Sequence, residues 1–498
     1  MTTAAITSID QKFAALAANA PKLARSTAAE RIARIKPLMA ALMAAKDECY
    51  AAGKAELGLS PTDVNGQLLI IKAEADFAIA NLAKWMTPEI LPNSLMMLGK
   101  KAWIQYEAKG VVLNLSTWNA PLAIGLVPAI GAIAAGNAMM LKPSELAPLS
   151  SALLAKIIAK AMPEREFAVV EGASDVAEAV LKLPFNHMYY TGGQRVGRIV
   201  MRAAAEHFAG VTLEMGGKNP VIVDANTDIT DTARKILWGR LSNAGQVCIA
   251  PDWVLVDRRV HDAFITALKT ELPKMYDADG KGIQNSPDFP RIINENHTRR
   301  IAALIDDAVA KGARVETGGQ IDITDRYVAP TVLSNVTDGM AVLDDEIFGP
   351  ILPVIAYDTL DGAFAMIARR PKPLALYVYT RDDKVRAEVL ARTSAGSTVI
   401  NHNMVQSGTN PHLPFGGVNH SGIGRVGGRQ GFLEFSNPRS VVAETALSDG
   451  LTPLPPLTQK QRDQMAGLLV TNTVVPRGMI MLIETVLRVR AMFRKSLV

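Results

Sequence analysis

GVVLNLSTWNAPLAIGLVPAIGAIAAGNAMMLKPSE, residues 110–145, decides the fold. Residues 120–141 are 22 consecutive uncharged positions, enough to span a bilayer as a helix. Pro121, Pro128 and the three glycines in that run, with few large aliphatics, favour another reading. A helix enclosed inside an α/β domain is apolar on every side. The flanks agree. GVVLNLS is a short apolar run opened by glycine, as in a buried parallel strand, and AMMLKPS supplies the next strand and its turn.

Working outward, the alternation continues. SALLAKIIAKAM reads as helix, FAVVEG as strand, SDVAEAVLKL as helix, HMYYTG as strand and QRVGRIVMRAAAEH as helix. A second series starts near Glu214, with strands PVIVD and WVLVD and helices expected around Asp231–Ala244, His261–Leu272 and Arg300–Lys311. Further strands are expected near Val328, Leu352 and Leu376 and at STVIN. Strands alternating with helices of this length predict parallel, doubly wound sheets. Residues 1–100 read mainly as helix, and residues 103–117 switch to β character.

Length and composition narrow the function. A chain of 498 residues allows two to four domains. With 49% hydrophobic and 20% charged residues it is neither disordered nor fibrous. Two cysteines, Cys49 and Cys248, build no disulfide framework, so a reducing, cytoplasmic setting is expected. The net charge of +5 resides entirely in residues 451–498. A neutral body gives no electrostatic case for nucleic acid. The basic stretch MIMLIETVLRVRAMFRK, residues 479–495, has two readings: an amphipathic helix in peripheral contact with anionic membrane, or a helix docked on a partner subunit.

Several residues stand out chemically. Cys248, in SNAGQVCIAP, is either a buried structural thiol or a nucleophile, and no nearby histidine serves as its base. Glu214 lies between an apolar strand and Gly216-Gly217. It is either paired locally or a base with a tuned pKa. Asn119 follows a strand's carboxyl end, where open α/β sheets bind ligands. It reads as a helix cap or as a donor to an oxyanion. Lys142 and Glu145 end the next strand. TGGQRVG, residues 191–197, puts Gly192 and Gly193 between a strand and a helix. No cluster has metal-ligand spacing.

Together these segments resemble the aldehyde dehydrogenase superfamily over about residues 10–440. WNAP, KPSE, TGGxxVG, LEMGGKNP, GQVCIAP, EIFGP and LPFGGVxxSGxGR appear in the family's order. Glu214 and Cys248 stand 34 positions apart, as in that family. KPLALYV and CIAPD look most like its class 3 branch. The segment from LAKWM through KGVVLNLSTWN is similar to bacterial coniferyl aldehyde dehydrogenases.

The resemblance implies an aldehyde dehydrogenase fold: two doubly wound parallel-sheet domains plus a small oligomerisation β segment. A nucleotide-binding domain is expected over 1–213, with an oligomerisation hairpin near 95–110. A catalytic domain is expected over 214–404, a returning segment over 405–445 and a tail over 446–498. The resemblance also implies a homodimer and NAD as cofactor, with NADP possible. Cys248 is then the nucleophile, Asn119 the oxyanion donor and Glu214 the base toward water. Ser116, Trp118, Lys142, Glu145, Thr191, Gly192, Gly193, Val196, Glu346 and Phe348 are the expected cofactor residues.

Ala120 replaces the tyrosine usual after the catalytic asparagine in class 3, which predicts a wider funnel. Trp238, His412 and Phe415, with Trp118, are expected to wall that funnel for a bulky aryl or long-chain aldehyde. VNH at 418–420 departs from the usual VGxS. Rival readings are a CoA-acylating dehydrogenase, against which Glu214 counts, and a non-catalytic scaffold that retains the fold.

Overall fold

The computed structural model describes residues 3–92, 97, 99–406, 408, 410–445, 455–470, 481–483 and 485–486. Residues 1–82 and 108–435 form one compact unit, and 83–107 with 436–498 a second. Most of the 479–495 segment lies outside the described residues.

In the first unit, Val111–Leu115 is buried at every position and pairs in parallel with Ala138–Lys142 and His187–Gly192. The sheet runs, edge to edge, Gly422–Ile423, Gly210–Met215, His187–Gly192, Val111–Leu115, Ala138–Lys142, Phe167–Val169. Only Gly422–Ile423 is antiparallel to its neighbour. The ambiguous stretch forms helix Pro121–Ala135, with proline in its first turn and Gly136 closing it in the left-handed region. It is buried almost throughout. Gly131 explains its small-residue content: a Cβ there would lie 3.2 Å from Phe435 and 3.3 Å from the Gly431 backbone. Among the described residues no helix is long and apolar enough to cross a membrane.

The two faces of strand His187–Gly192 differ. Met188 and Tyr190 join an apolar cluster with Ile9, Leu16 and Leu23 of helix Thr3–Ala24 and Val200 of helix Gln194–Ala205. His187, Tyr189 and Thr191 alternate onto the opposite face, next to the polar Thr212 and Glu214 of the adjoining strand.

The second sheet runs Arg314–Thr317, Thr331–Ser334, Ile351–Tyr357, Trp253–Asp257, Pro220–Val223, Ala375–Tyr379, Ser397–Ile400. Only its first edge is antiparallel. Three expectations need correcting. The strand near Val328 is a two-residue piece, Tyr327–Val328, paired with Ile321–Asp322 outside the main sheet. The helix placed at Arg300–Lys311 begins earlier, at Glu295, capped by the Asn294 side chain. The helix expected to reach Ala244 ends at Leu241, because Asn243 and Ala244 take φ of 48° and 51°. That left-handed pair turns the chain toward Cys248.

The second unit holds a three-stranded sheet in the order Glu89–Ile90, Lys100–Ala108, Ser436–Glu444. Arg439 pairs there with Glu107 at 3.0 Å.

Candidate active site

Open α/β sheets gather ligand-binding groups beyond the carboxyl ends of their strands. Asn119 follows strand Val111–Leu115, while Thr191 and Glu214 are register partners near the ends of adjacent strands. Opposite them is the Cys248 loop, held by a hydrogen-bonded frame. The Asn219 amide donates to the carbonyls of Cys248 (2.8 Å) and Ala250 (3.0 Å). Asn243 donates to the Asn119 carbonyl (2.9 Å), and Asn119 Nδ2 to the Gln246 carbonyl (3.0 Å). Loop and strand end are thus tied directly to each other.

A cavity of about 230 Å³ opens at this junction. It brings together Trp118, Asn119, Thr191, Gly192, Gly193, Glu214, Cys248, Glu346 and Phe348, nine of the residues singled out from sequence. Thr117, Gly216, His297 and Arg300 also line it. His297 stands edge-on to Trp118 with ring centroids 5.4 Å apart, and Trp118 meets Phe348 at the same distance. Arg300 donates to the Ile347 carbonyl at 2.6 Å. His297 and Arg300 sit on helix Glu295–Ala310, and nothing in their local sequence marks them.

Other expected residues lie elsewhere. Lys142 and Glu145 pair with each other at 2.7 Å beyond the next strand end. Val196 packs against the apolar cluster on the far side of the sheet. The funnel wall is not continuous. Trp238 stands against His402, His412 against Phe77, and Phe415 packs on the second sheet's core. Trp238 is 42% exposed, on a helix face turned away from the core. Among the described residues no ring contact joins it to Trp118, His412 or Phe415.

The electrostatics are unusual. Both Glu214 oxygens are buried without a hydrogen-bond partner. Burial holds its carboxyl well above the ordinary range, and the nearby Arg425 guanidinium opposes that rise. Burial, then the Glu346 and Glu214 carboxyls, push the Cys248 thiol to about 12. Burial also lifts Glu346 to about 8. The free site therefore holds a neutral thiol at pH 7. Alkylation of Cys248 by iodoacetamide is expected to be slow there and to rise about tenfold per pH unit through pH 10, because the thiolate is the nucleophile. Peptide mass spectrometry reads this directly. A plateau below pH 9 would contradict the thiol's environment.

A further set of buried polar atoms is open to a ligand. Ser116 Oγ, Thr191 Oγ1 and Glu346 Oε1 are buried and unpartnered, as groups awaiting ligand hydroxyls are. Gly193 caps helix Gln194–Ala205, and a Cβ there would meet nothing within 4 Å. Its open helix N-terminus suits a pyrophosphate. A Cβ on Gly216 would strike Glu346 Oε2, so glycine is what seats that carboxylate.

The comparisons with known proteins bear on the family and the fold. The model of the aldehyde dehydrogenase family matches residues 1–441. The chain belongs to the aldehyde dehydrogenase family. It is 37% identical over 440 residues to aldehyde dehydrogenase family 3 member A2 of Pongo abelii, covering 87% of this chain and 88% of the relative. It is 38% identical over 408 residues to the 4,4'-diaponeurosporen-aldehyde dehydrogenase of Staphylococcus aureus, covering 82% and 86%. A solved structure, the substrate-bound state of Staphylococcus aureus AldH, superposes with a TM-score of 0.88 at 35% identity, covering 92% of this chain and 99% of that one. This aldehyde dehydrogenase belongs to a family that uses NAD or NADP, and its relatives include family 3 members of animals and plants and an aldehyde dehydrogenase of Bacillus subtilis.

Proposed function

We propose that this enzyme oxidises a bulky, mostly apolar aldehyde, aryl or long-chain, to the carboxylic acid. The observation that carries the reading is the convergence of Asn119, Cys248 and an unpartnered Glu214 on one small cavity. The Cys248 sulfur adds to the aldehyde carbon, its proton passing to solvent and the carbonyl π pair to the oxygen. The second hydrogen of the Asn119 amide and the Cys248 N–H are the donors assigned to the resulting oxyanion. Fixed donors of this kind contribute roughly 3–4 kcal/mol each. Ser116, Thr191, Gly193 and Glu346 would hold NAD or NADP, which would supply the hydride acceptor needed to oxidise the sulfur-bound adduct to a thioester. Glu214 then takes a proton from water as the water oxygen bonds the acyl carbon and the C–S bond breaks. The acid departs, and the thiol is restored.

Glu145 carries a negative charge beside Lys142, on the side expected to hold the adenosine ribose. A carboxylate there disfavours a 2′-phosphate, which supports NAD over NADP. A homodimer formed through the largely exposed strand Ser436–Glu444 would complete the assembly.

The substrate class rests on Ala120, the small residue that directly follows Asn119. Reduced-cofactor formation with benzaldehyde, coniferaldehyde, hexanal and hexadecanal tests it, with NAD and NADP in parallel. Ala120→Tyr is expected to lower kcat/KM for the bulky members about tenfold relative to a short aldehyde, since a filled pocket costs about 1.4 kcal/mol or more. Unchanged relative kcat/KM would refute the wide funnel.

A further inference from the structure

Glu214 needs a counter-charge to serve as a base inside a buried pocket. The pocket lining does not supply one beside it. The segment that follows strand Gly422–Ile423 does. The Arg425 guanidinium, through Nη1, donates to the carbonyls of Gly417 and Gly424, the latter at 2.7 Å. This bends the side chain back over its own loop. Gly416 marks where it comes to rest: a Cβ there, at φ of +156°, would lie 2.9 Å from Arg425 Cδ and 3.1 Å from Glu214 Oε1. Stem and carboxylate thus close on the same point, and only a glycine leaves room between them.

A second carboxylate, Glu434, shares this corner. Its Oε2 accepts the Arg425 N–H at 3.2 Å. Its Oε1 accepts the Thr212 hydroxyl at 2.7 Å. Behind Thr212, His187 Nε2 stands 2.7 Å away, and Lys109 Nζ lies 3.0 Å from His187 Nδ1. Burial and Lys109 push His187 down to about 3, so the ring is neutral. This polar file, on the sheet face shared with Glu214, fixes Glu434 from below. The groups electrostatically coupled to Glu214 are then Arg425, Glu434, Tyr189 and Cys248. Arg425 is the cation among them.

We propose that Arg425 is a positioning residue for hydrolysis: its side chain, held beside Glu214 by the carbonyls of Gly417 and Gly424, favours the ionised carboxylate and so eases its work as a base, and Glu434 opposes it. The proposal rests on Glu214 acting as the base toward water.

The experiment acylates the full-length enzyme with p-nitrophenyl acetate and follows decay of the acyl-enzyme by intact-protein mass from pH 5 to 9. Arg425→Gln is expected to move the acid limb of the hydrolysis rate up by about one pH unit, slowing decay up to tenfold on that limb. Arg425→Lys, which keeps the charge, restores most of the rate. Glu434→Gln moves the limb the opposite way, because it removes a like charge. These are positions along the pH axis, so a partly folded population does not shift them. Limbs that coincide with wild type in both Arg425→Gln and Glu434→Gln overturn the proposal, whatever the absolute rates. Glu214→Gln separates the two ideas. Loss of its limb leaves the base assignment standing, while a limb that persists removes that assignment itself.

Discussion

Cys248→Ala is expected to lower aldehyde oxidation by on the order of five to six decades, the scale set by removing a covalent nucleophile. No neighbour substitutes for it. The other cysteine, Cys49, is buried in helix Lys46–Leu57, and burial pushes its thiol to about 11. Cys248→Ser is expected to fall nearly as far. The histidine that lines the cavity, His297, stands against Trp118, and burial lowers its basicity, so it is a poor base for a hydroxyl. The dinucleotide site proposed above uses other residues, Ser116, Thr191, Gly193 and Glu346, so cofactor affinity is expected to stay within about threefold of wild type. Titration calorimetry with NAD and stopped-flow turnover, both on Cys248→Ala, check the two halves of this result. Turnover within a hundredfold of wild type would show that chemistry proceeds without the thioester.

Much of this site was legible before any coordinates. The first sheet followed from the alternation of residues 110–207, because buried parallel strands and their crossover helices leave distinct apolar signatures. Asn119, Glu214 and Cys248 stood out because polar groups at strand ends and beside glycines need a reason to be there. What escaped was whatever depends on distant segments meeting. His297 reaches the cavity from a helix about fifty positions beyond Cys248, and nothing local announces it. The helix end at Leu241 was misplaced because Asn243, a residue that tolerates the left-handed region, was read as helical and Ala244 gives no such signal. Their conformation is held by the Asn243 bond to the Asn119 carbonyl, a contact across more than a hundred positions. The expected aromatic wall failed for a related reason. Residue type says that Trp238 and His412 want contacts, but not that His402 and Phe77 provide them.

Asp252→Ala is expected to cost about 3–5 kcal/mol of stability, because it strips the partner from two buried cations at once. Asp252 Oδ1 pairs with Arg240 at 2.8 Å and Oδ2 with Lys218 at 2.5 Å, all three nearly inaccessible to solvent. Burial lowers the pKa of both cations, and the Asp252 carboxylate, ahead of the more weakly coupled Glu346, opposes that shift. Without it, Lys218 keeps only the carbonyls of Val342 and Asp345, and Arg240 those of Pro251 and Gly349. The same carboxylate accepts the Ile347 N–H at 3.2 Å and so pins the segment carrying Glu346 and Phe348 to the loop carrying Cys248. Asp252→Asn keeps that acceptor but not the charge, so it is expected to lose most of the stability while holding the segment more nearly in place. The pair of variants therefore separates two roles. A lower denaturant midpoint in both, with NAD affinity weakened more in Asp252→Ala than in Asp252→Asn, is the expected pattern. A midpoint for Asp252→Ala within about 1 kcal/mol of wild type would mean that water reaches Lys218 and Arg240 and that the ion cluster contributes little to the fold.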